Sequence, residues 1–192
     1  MEWKLFEGDK CEFASQEWYV EREAAHHLEQ QGHRERLIEA HKLVLKAIEL
    51  GAKDAVDLGC GDGGMLSLLK DSNIDSWGYD LAPNNIKHAT EVRGVDARYT
   101  DFNNDDTIEY ADIAIMTEVL EHLEDPHGVL KDLPSKYLVA SSPFHETGEQ
   151  HYEFHLWAWD VSGYKRLIEG AGYSVLETVL DNGSQIHLAV RN

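Results

Sequence analysis

The sequence predicts an α/β fold, a doubly wound, seven-stranded and mostly parallel sheet with an antiparallel C-terminal hairpin and an N-terminal helical cap. Three observations predict it. From residue 51 onward short apolar strands alternate with helical segments. The first of those strands runs into a glycine-rich loop that opens a helix, Val56-Asp57-Leu58-Gly59-Cys60-Gly61-Asp62-Gly63-Gly64. The last two segments are joined by Asp181-Asn182-Gly183-Ser184, a hairpin turn.

Taken in order, residues 1–15 read as an irregular or short-strand lead. Gln16 to Leu50 shows helical periodicity in Trp18, Tyr19, Ala25, Leu28, Leu37, Ile38, Leu43, Val44, Leu45 and Ile48, with Gly32 as a break and Gly51 as a C-terminal glycine. Residues 1–50 are assigned to the cap and 51–192 to the sheet, one domain in all. Strands are expected at Ala55–Leu58, Ser76–Tyr79, Ala97–Tyr99, Asp112–Met116 and Tyr137–Ala140. Helices are expected at Gly64–Lys70, from Ala82 or Pro83 to Val92, from Val119 with a break near Asp125-Pro126, and at Ser162–Gly170. The hairpin strands are Ser174–Leu180 and Gln185–Val190.

A chain of 192 residues with 42% hydrophobic and 28% charged residues is neither disordered nor of low complexity. No apolar run reaches the ~20 residues that a membrane helix requires. The segment MEWKLFEGDK lacks the basic-then-apolar pattern of a secretory signal. Two cysteines, Cys11 and Cys60, cannot make a disulfide framework, so a reduced, cytoplasmic setting is expected. Seventeen Lys+Arg against 36 Asp+Glu give a net charge of −19. Such a field repels phosphate backbones and anionic membranes and disfavours a nucleic-acid partner.

Glycines let the loop turn tightly and bring its backbone against a ligand. Asp80 ends the second strand, where a carboxylate can accept the hydroxyls of a ribose. Gly59, Gly61 and Gly64 also fit the dinucleotide pattern G-x-G-x-x-G. Asp57 counts against a nicotinamide cofactor, because a carboxylate beside the loop opposes a pyrophosphate and suits a cation.

Asp57-Leu58-Gly59-Cys60-Gly61-Asp62-Gly63 resembles the first motif of class I, Rossmann-like S-adenosylmethionine-dependent methyltransferases. Asp80 with Leu81 resembles their acidic second-strand position, Asp101-Phe102 their adenine pair, and Ala111 to Leu123 their fourth strand with the helix after it. The resemblance covers about residues 50–192. It implies that Asp57, Gly59, Cys60, Gly61, Gly63, Asp80, Leu81, Asp101, Phe102 and Thr117 surround the cofactor. Asp80 would hold the ribose and Asp101 the adenine amino group. Cys60 reads as packing within the loop rather than as a nucleophile.

Met116-Thr117-Glu118-Val119 lacks the Asn/Asp-Pro-Pro-aromatic loop of amino methyltransferases, and no Pro-Cys pair supports a covalent cytosine mechanism. Glu118, Glu121 and His122 stand at helical spacing on one predicted face. Two carboxylates and an imidazole suit a divalent metal completed by a second histidine from Pro143 to His155. That arrangement is similar to ubiquinone-pathway O-methyltransferases and to small-RNA 3′-end 2′-O-methyltransferases. It makes Glu118, Glu121, His122 and His155 metal candidates. The same residues also suit a metal-free pocket in which His122, with Glu118, is catalytic and the imidazole acts as base.

Tyr152, Phe154, Trp157 and Trp159 read either as an acceptor lid or as core. Trp18 and Tyr19 are candidates to close over the cofactor. His26, His27, His33 and His41 are assigned to a solvated face. The expected activity is methyl transfer from S-adenosylmethionine to an oxygen or nitrogen of a small-molecule acceptor. The alternatives are RNA 3′-end methylation with a Glu/His metal site, and a non-catalytic nucleoside-binding module.

Overall fold

The computed structural model describes residues 1–5, 16–102 and 108–192, apart from the side chains of residues 16, 17 and 19. Cys11 and the side chain of Tyr19 lie outside the described residues. Chain order is β1 (Glu2–Lys4), α1 (Gln16–Glu21), a 3-10 turn His27–Glu29, α2 (Gln31–Glu49), β2 (Asp54–Leu58), α3 (Gly64–Asp71) and β3 (Asp75–Asp80). Then come α4 (Pro83–His88) with a π turn Ala89–Arg93, β4 (Ala97–Tyr99), β5 (Ile113–Thr117), a 3-10 turn Leu120–His122 and α5 (Pro126–Asp132). The chain closes with β6 (Tyr137–Pro143), β7 (Trp157–Trp159), α6 (Val161–Gly170), β8 (Tyr173–Asp181) and β9 (Ser184–Arg191).

The main sheet has seven strands in the order β4-β3-β2-β5-β6-β9-β8. Pairings from β4 through β6 are parallel, and β9 runs antiparallel to both β6 and β8. The Asn182-Gly183 turn has φ of 42° and 88°, the double positive φ that a two-residue hairpin turn demands. The inner strands are buried on both faces, which is why Ile113–Met116 and Tyr137–Ala140 read as unbroken apolar runs rather than alternating ones.

One face of the sheet is covered by α2 and α3 through Leu37, Leu43, Val44, Met65, Leu66 and Leu69. The other is covered by α5 and α6 through Leu130, Tyr164, Leu167 and Ile168. Most of α2 therefore belongs to the core, and the residues ahead of it stand over the sheet's carboxyl end. Gly32 does not break this helix. The interruption falls at residues 22–26, where His26 takes a left-handed φ of 52°.

β7 pairs with β1 as a separate two-stranded sheet. Trp159 is fully buried there and its indole N–H donates to Glu2 Oε2 at 2.7 Å. Trp157 stacks parallel to it with centroids 6.1 Å apart. These two tryptophans form core, not lid. No helix among the described residues is long and apolar enough to cross a membrane.

Candidate functional site

The parallel strands end together, and the loops leaving β2, β3 and β5 open a cavity of about 520 Å³ between them and the N-terminal segment. The glycine loop forms one side. A Cβ on Gly59 would come within 2.5 Å of Val119, and one on Gly61 within 2.6 Å of the His27 ring. Both have positive φ, so glycine is required twice over. Gly59, Cys60, Gly61 and Gly64 line the cavity. Gly63 does not; its φ is +80° and its Cα faces Ala89 and Val95. Cys60 is buried, and burial together with the Asp57 carboxyl pushes its thiol well above the usual range, as expected of a packing residue.

Asp80 stands opposite the loop. Its Oδ2 accepts from Gly61 N–H at 2.8 Å, and its Oδ1 accepts from Ala82 N–H at 2.8 Å and Asn85 Nδ2 at 3.2 Å. The side chain thus fixes the loop and keeps acceptor capacity toward the cavity. Leu81, Asp101, Phe102 and Thr117 also line it, with Asp101 buried. Asp57 lies fully buried beneath, its Oδ1 without a hydrogen-bond partner. Burial, then the charges of Asp80 and Asp62, push its carboxyl up to about 8.

Of the N-terminal histidines, His26 is exposed as expected, but His27 and His33 are half-buried and partnered. His27 donates from Nδ1 and from its backbone to Asp62 Oδ1, at 2.8 and 3.3 Å. Asp62 also pairs with Arg93, and despite burial these partners hold its carboxyl well below the usual range. His26 packs edge-on to His88 at 4.7 Å, and His33 lies 5.2 Å from His27. Asn84 Nδ2 donates to the Arg22 carbonyl and Asn85 Oδ1 accepts from Ala25 N–H. Only His41 lies apart, sharing a hydrogen bond with Ser72. Spacing along the chain hid this convergence because residues 22–30 fold back on the glycine loop instead of continuing a helix.

The segment after β5 also departs from the helix expected from Val119. Glu118 adopts φ of 56°, fixed by its N–H donating to Ser141 O and Oγ, both at 3.1 Å, while Ser141 Oγ donates to its carboxylate at 2.9 Å. Glu118, Glu121 and His122 consequently do not share a helix face. Glu118 lines the cavity and pairs with Arg36 at 3.5 Å. Glu121 turns inward, 1% exposed, with neither carboxylate oxygen hydrogen-bonded. Burial, then the charge of Glu118, push its carboxyl well above the usual range.

Ligand atoms of Glu121, His122 and His155 lie within 4.8 Å of one another, a convergence that excludes Glu118. Each ring is held from its Nδ1 side. His122 donates to the Phe154 carbonyl at 3.1 Å, and His155 pairs with Glu146 Oε2 at 2.6 Å. Burial, then His155, depress the His122 pKa to about 4, leaving a neutral ring with an Nε2 lone pair. His145 and His151 stand apart, their Nδ1 atoms on the Gly183 and Thr147 carbonyls.

Beside the trio, Trp18 stacks on Phe154 at 5.0 Å, Tyr152 meets Phe154 edge-on at 5.0 Å, and Arg22 covers Trp18. All four line the cavity. Of the expected aromatics, Tyr152 and Phe154 thus belong to the wall and Trp157 and Trp159 to the core.

The sequence matches the protein-family model of a methyltransferase domain over residues 25–178. The chain belongs to the class I S-adenosylmethionine-dependent methyltransferases. No curated protein matches the sequence. Among solved structures the methyltransferase is similar to magnesium protoporphyrin IX methyltransferase from Synechocystis PCC 6803, solved with bound SAH. The TM-score is 0.69 at 18% identity, over 84% of each chain. It is similar to the methyltransferase domain of bacterial CtHen1-C, with TM-score 0.62 at 19% identity over 81% of this chain and 99% of that one. It is also similar to an S-adenosylmethionine-dependent methyltransferase from Clostridium acetobutylicum ATCC 824, with TM-score 0.62 at 12% identity over 81% and 92%.

The methyltransferase's cavity fits its cosubstrate. The volume falls in the range of about 300–1,000 Å³ typical of small-molecule sites. Two glycines admit close backbone approach, and the orphaned carboxyl of Asp57 suits a neighbouring sulfonium. Asp80→Ala is expected to weaken S-adenosylhomocysteine binding by about 1.5–3 kcal/mol, measured by calorimetry. Unchanged affinity would remove Asp80 from the site.

Proposed function

We propose that this methyltransferase methylates an oxygen or nitrogen of a small-molecule acceptor lying against Trp18, Tyr152 and Phe154, and that Glu121, His122 and His155 hold a divalent cation there. On this reading Gly59, Cys60 and Gly61 approach the cosubstrate, Asp80 takes its ribose and Asp101 its adenine. One observation carries the cation reading. Glu121 is buried with both oxygens unpartnered, beside two imidazoles already oriented from their far nitrogens. An uncompensated buried carboxylate is costly alone and ordinary as a ligand.

When bound, such a cation would favour the deprotonated form of an acceptor hydroxyl at neutral pH. The chain's residues supply positioning. Asp80 and the loop fix the cosubstrate, and the aromatic wall orients the acceptor so that the two meet in line. His122 fits a ligand better than a free base, because its Nδ1–H is committed and its pKa lies far below neutrality.

Titration of chelator-treated protein with Mn²⁺ tests this. Saturable binding is expected in wild type, and His122→Ala and His155→Ala should each weaken it by about 100-fold. If wild type binds no Mn²⁺ and turnover ignores chelator while rising through a histidine-like pKa, His122 is a metal-free base.

RNA 3′-end methylation is the second reading. The Glu-x-x-Glu-His spacing with a downstream histidine favours it, and the −19 charge opposes it. Steep loss of acceptor binding with salt would select it.

A further inference from the structure

Asp62 belongs to the glycine loop, and its side chain is fully buried. One oxygen, Oδ1, accepts from the backbone N–H and from Nδ1 of His27, at 3.3 and 2.8 Å. The other, Oδ2, pairs with Arg93, which also donates to the Asp62 carbonyl at 2.8 Å and to Glu29 at 3.1 Å. Oδ2 also lies 3.8 Å from Nδ1 of His88, the last residue of α4. That nitrogen is buried and has no hydrogen-bond partner. The exposed ring of His26 closes the group from outside, edge-on to His88. Ligand atoms of His26, Asp62 and His88 all lie within 4.8 Å of one another.

None of these three residues lines the cavity. The distance from Asp62 to His88 is too long for a hydrogen bond. A proton on His88 is not needed there, because Arg93 already neutralises Asp62. Arg93 also serves Glu29, so with neutral imidazoles two carboxylates face one guanidinium and a negative charge is left over. An ion about 2.0–2.2 Å from each ligand spans such a gap. Two imidazoles and one carboxylate oxygen suit Zn²⁺ better than Mg²⁺ or Ca²⁺. His27, bonded to Oδ1, is the outer partner that keeps the carboxylate in place. The exposed His26 gives the ion a path from solvent.

We propose that His26, Asp62 and His88 form a second cation site, taking Zn²⁺ or an ion of the same class, separate from Glu121, His122 and His155. Its ligands come from the segment before α2, the glycine loop and the end of α4. The first and last of these are already joined, since Ala25 N–H donates to Asn85 and Asn84 donates to the Arg22 carbonyl. The ion adds the glycine loop to that junction and clamps all three. The site stands independently of the function proposed above.

Zn²⁺ titrated into chelator-treated full-length protein, followed by calorimetry and by melting temperature, tests the clamp. Wild type should bind two equivalents, one at each group. His26→Asn should lose one of them and still fold, because the residue is exposed and asparagine tolerates its left-handed φ of 52°. His88→Gln should lose the same equivalent. His122→Ala/His155→Ala should keep that equivalent and the rise in melting temperature that Zn²⁺ brings, and adding His26→Asn should abolish both. Survival of this equivalent in His26→Asn or in His88→Gln overturns the clamp. A single wild-type equivalent that disappears in His122→Ala/His155→Ala also overturns it and leaves the Glu121 site standing. A single equivalent that persists there and disappears in His26→Asn upholds the clamp and overturns the Glu121 site instead. No Zn²⁺ binding by wild type overturns both.

Discussion

Glu121→Gln is expected to cost at least about 100-fold in divalent-cation affinity while raising the stability of the cation-free protein by about 1–3 kcal/mol. Substitutions at strained functional sites can move binding and stability in opposite directions. This one does because the glutamate is buried with both oxygens unpartnered, at the spot where Glu118 adds like charge. The pH dependence comes from the raised carboxyl. The unfolded chain releases this proton near the ordinary value of ~4.3, whereas the folded chain retains it to higher pH. The folded state then binds more protons in the window above ~4.3, so wild-type stability falls as pH rises through that window. The advantage of the glutamine variant should be absent in acid and grow toward neutrality. Denaturant titrations from pH 4 to 8, with and without Mn²⁺, measure it. A variant that binds Mn²⁺ like wild type, or that is destabilised throughout, defeats the cation site.

Asp57→Asn should give a still larger stabilisation of the unliganded enzyme. Its folded carboxyl titrates near 8 against an ordinary 3.8, through burial and then the charges of Asp80 and Asp62. Between those values the folded protein carries a proton that the unfolded chain has lost, and stability declines across the whole window. At ~1.4 kcal/mol per pH unit the ceiling is about 5–6 kcal/mol, and relaxation of the site should leave about 2–4 kcal/mol. Wild type and variant should therefore match near pH 4 and separate progressively to about pH 8. Affinity should respond the other way. The variant loses attraction for a sulfonium more than for the neutral thioether product, so the ratio of the two dissociation constants shifts toward product. Equal stability of the two proteins at pH 8.5 would show that Asp57 is not a strained carboxyl.

The half of the cavity that we assign to the cosubstrate was legible in the sequence because its determinants are local. Glycines at 59 and 61 and the carboxylates at 57 and 80 sit at strand ends that alternation alone locates, and the sheet order is built on that alternation. The half proposed for the acceptor was only partly legible. Glu121, His122 and His155 were named, yet the shared helix face that selected them does not exist. Glu118 turns left-handed under the grip of Ser141, 23 residues further along the chain. Arg36 and Glu146 were passed over because each matters through partners remote in sequence, Glu118 and Ser184 for one and His155 for the other. His27 was misplaced for the same reason, since nothing in its spacing announces Asp62. Trp157 and Trp159 could be placed in the core only once β1 was seen to pair with β7.

The division of labour between frame and wall bears on how such an enzyme changes over evolutionary time. The residues proposed to contact the cosubstrate stand at or beside strand ends locked into the seven-stranded sheet, so altering them disturbs the core. Trp18, Arg22, Tyr152 and Phe154 come instead from α1, the stretch just after it and the excursion between β6 and β7, none of them part of that sheet. Insertions, deletions and substitutions there can accumulate without unpicking a single rung of the parallel ladder. If the acceptor lies where we propose, a lineage carrying this scaffold is free to trade one acceptor for another by rewriting two surface segments, while the donor half is inherited intact.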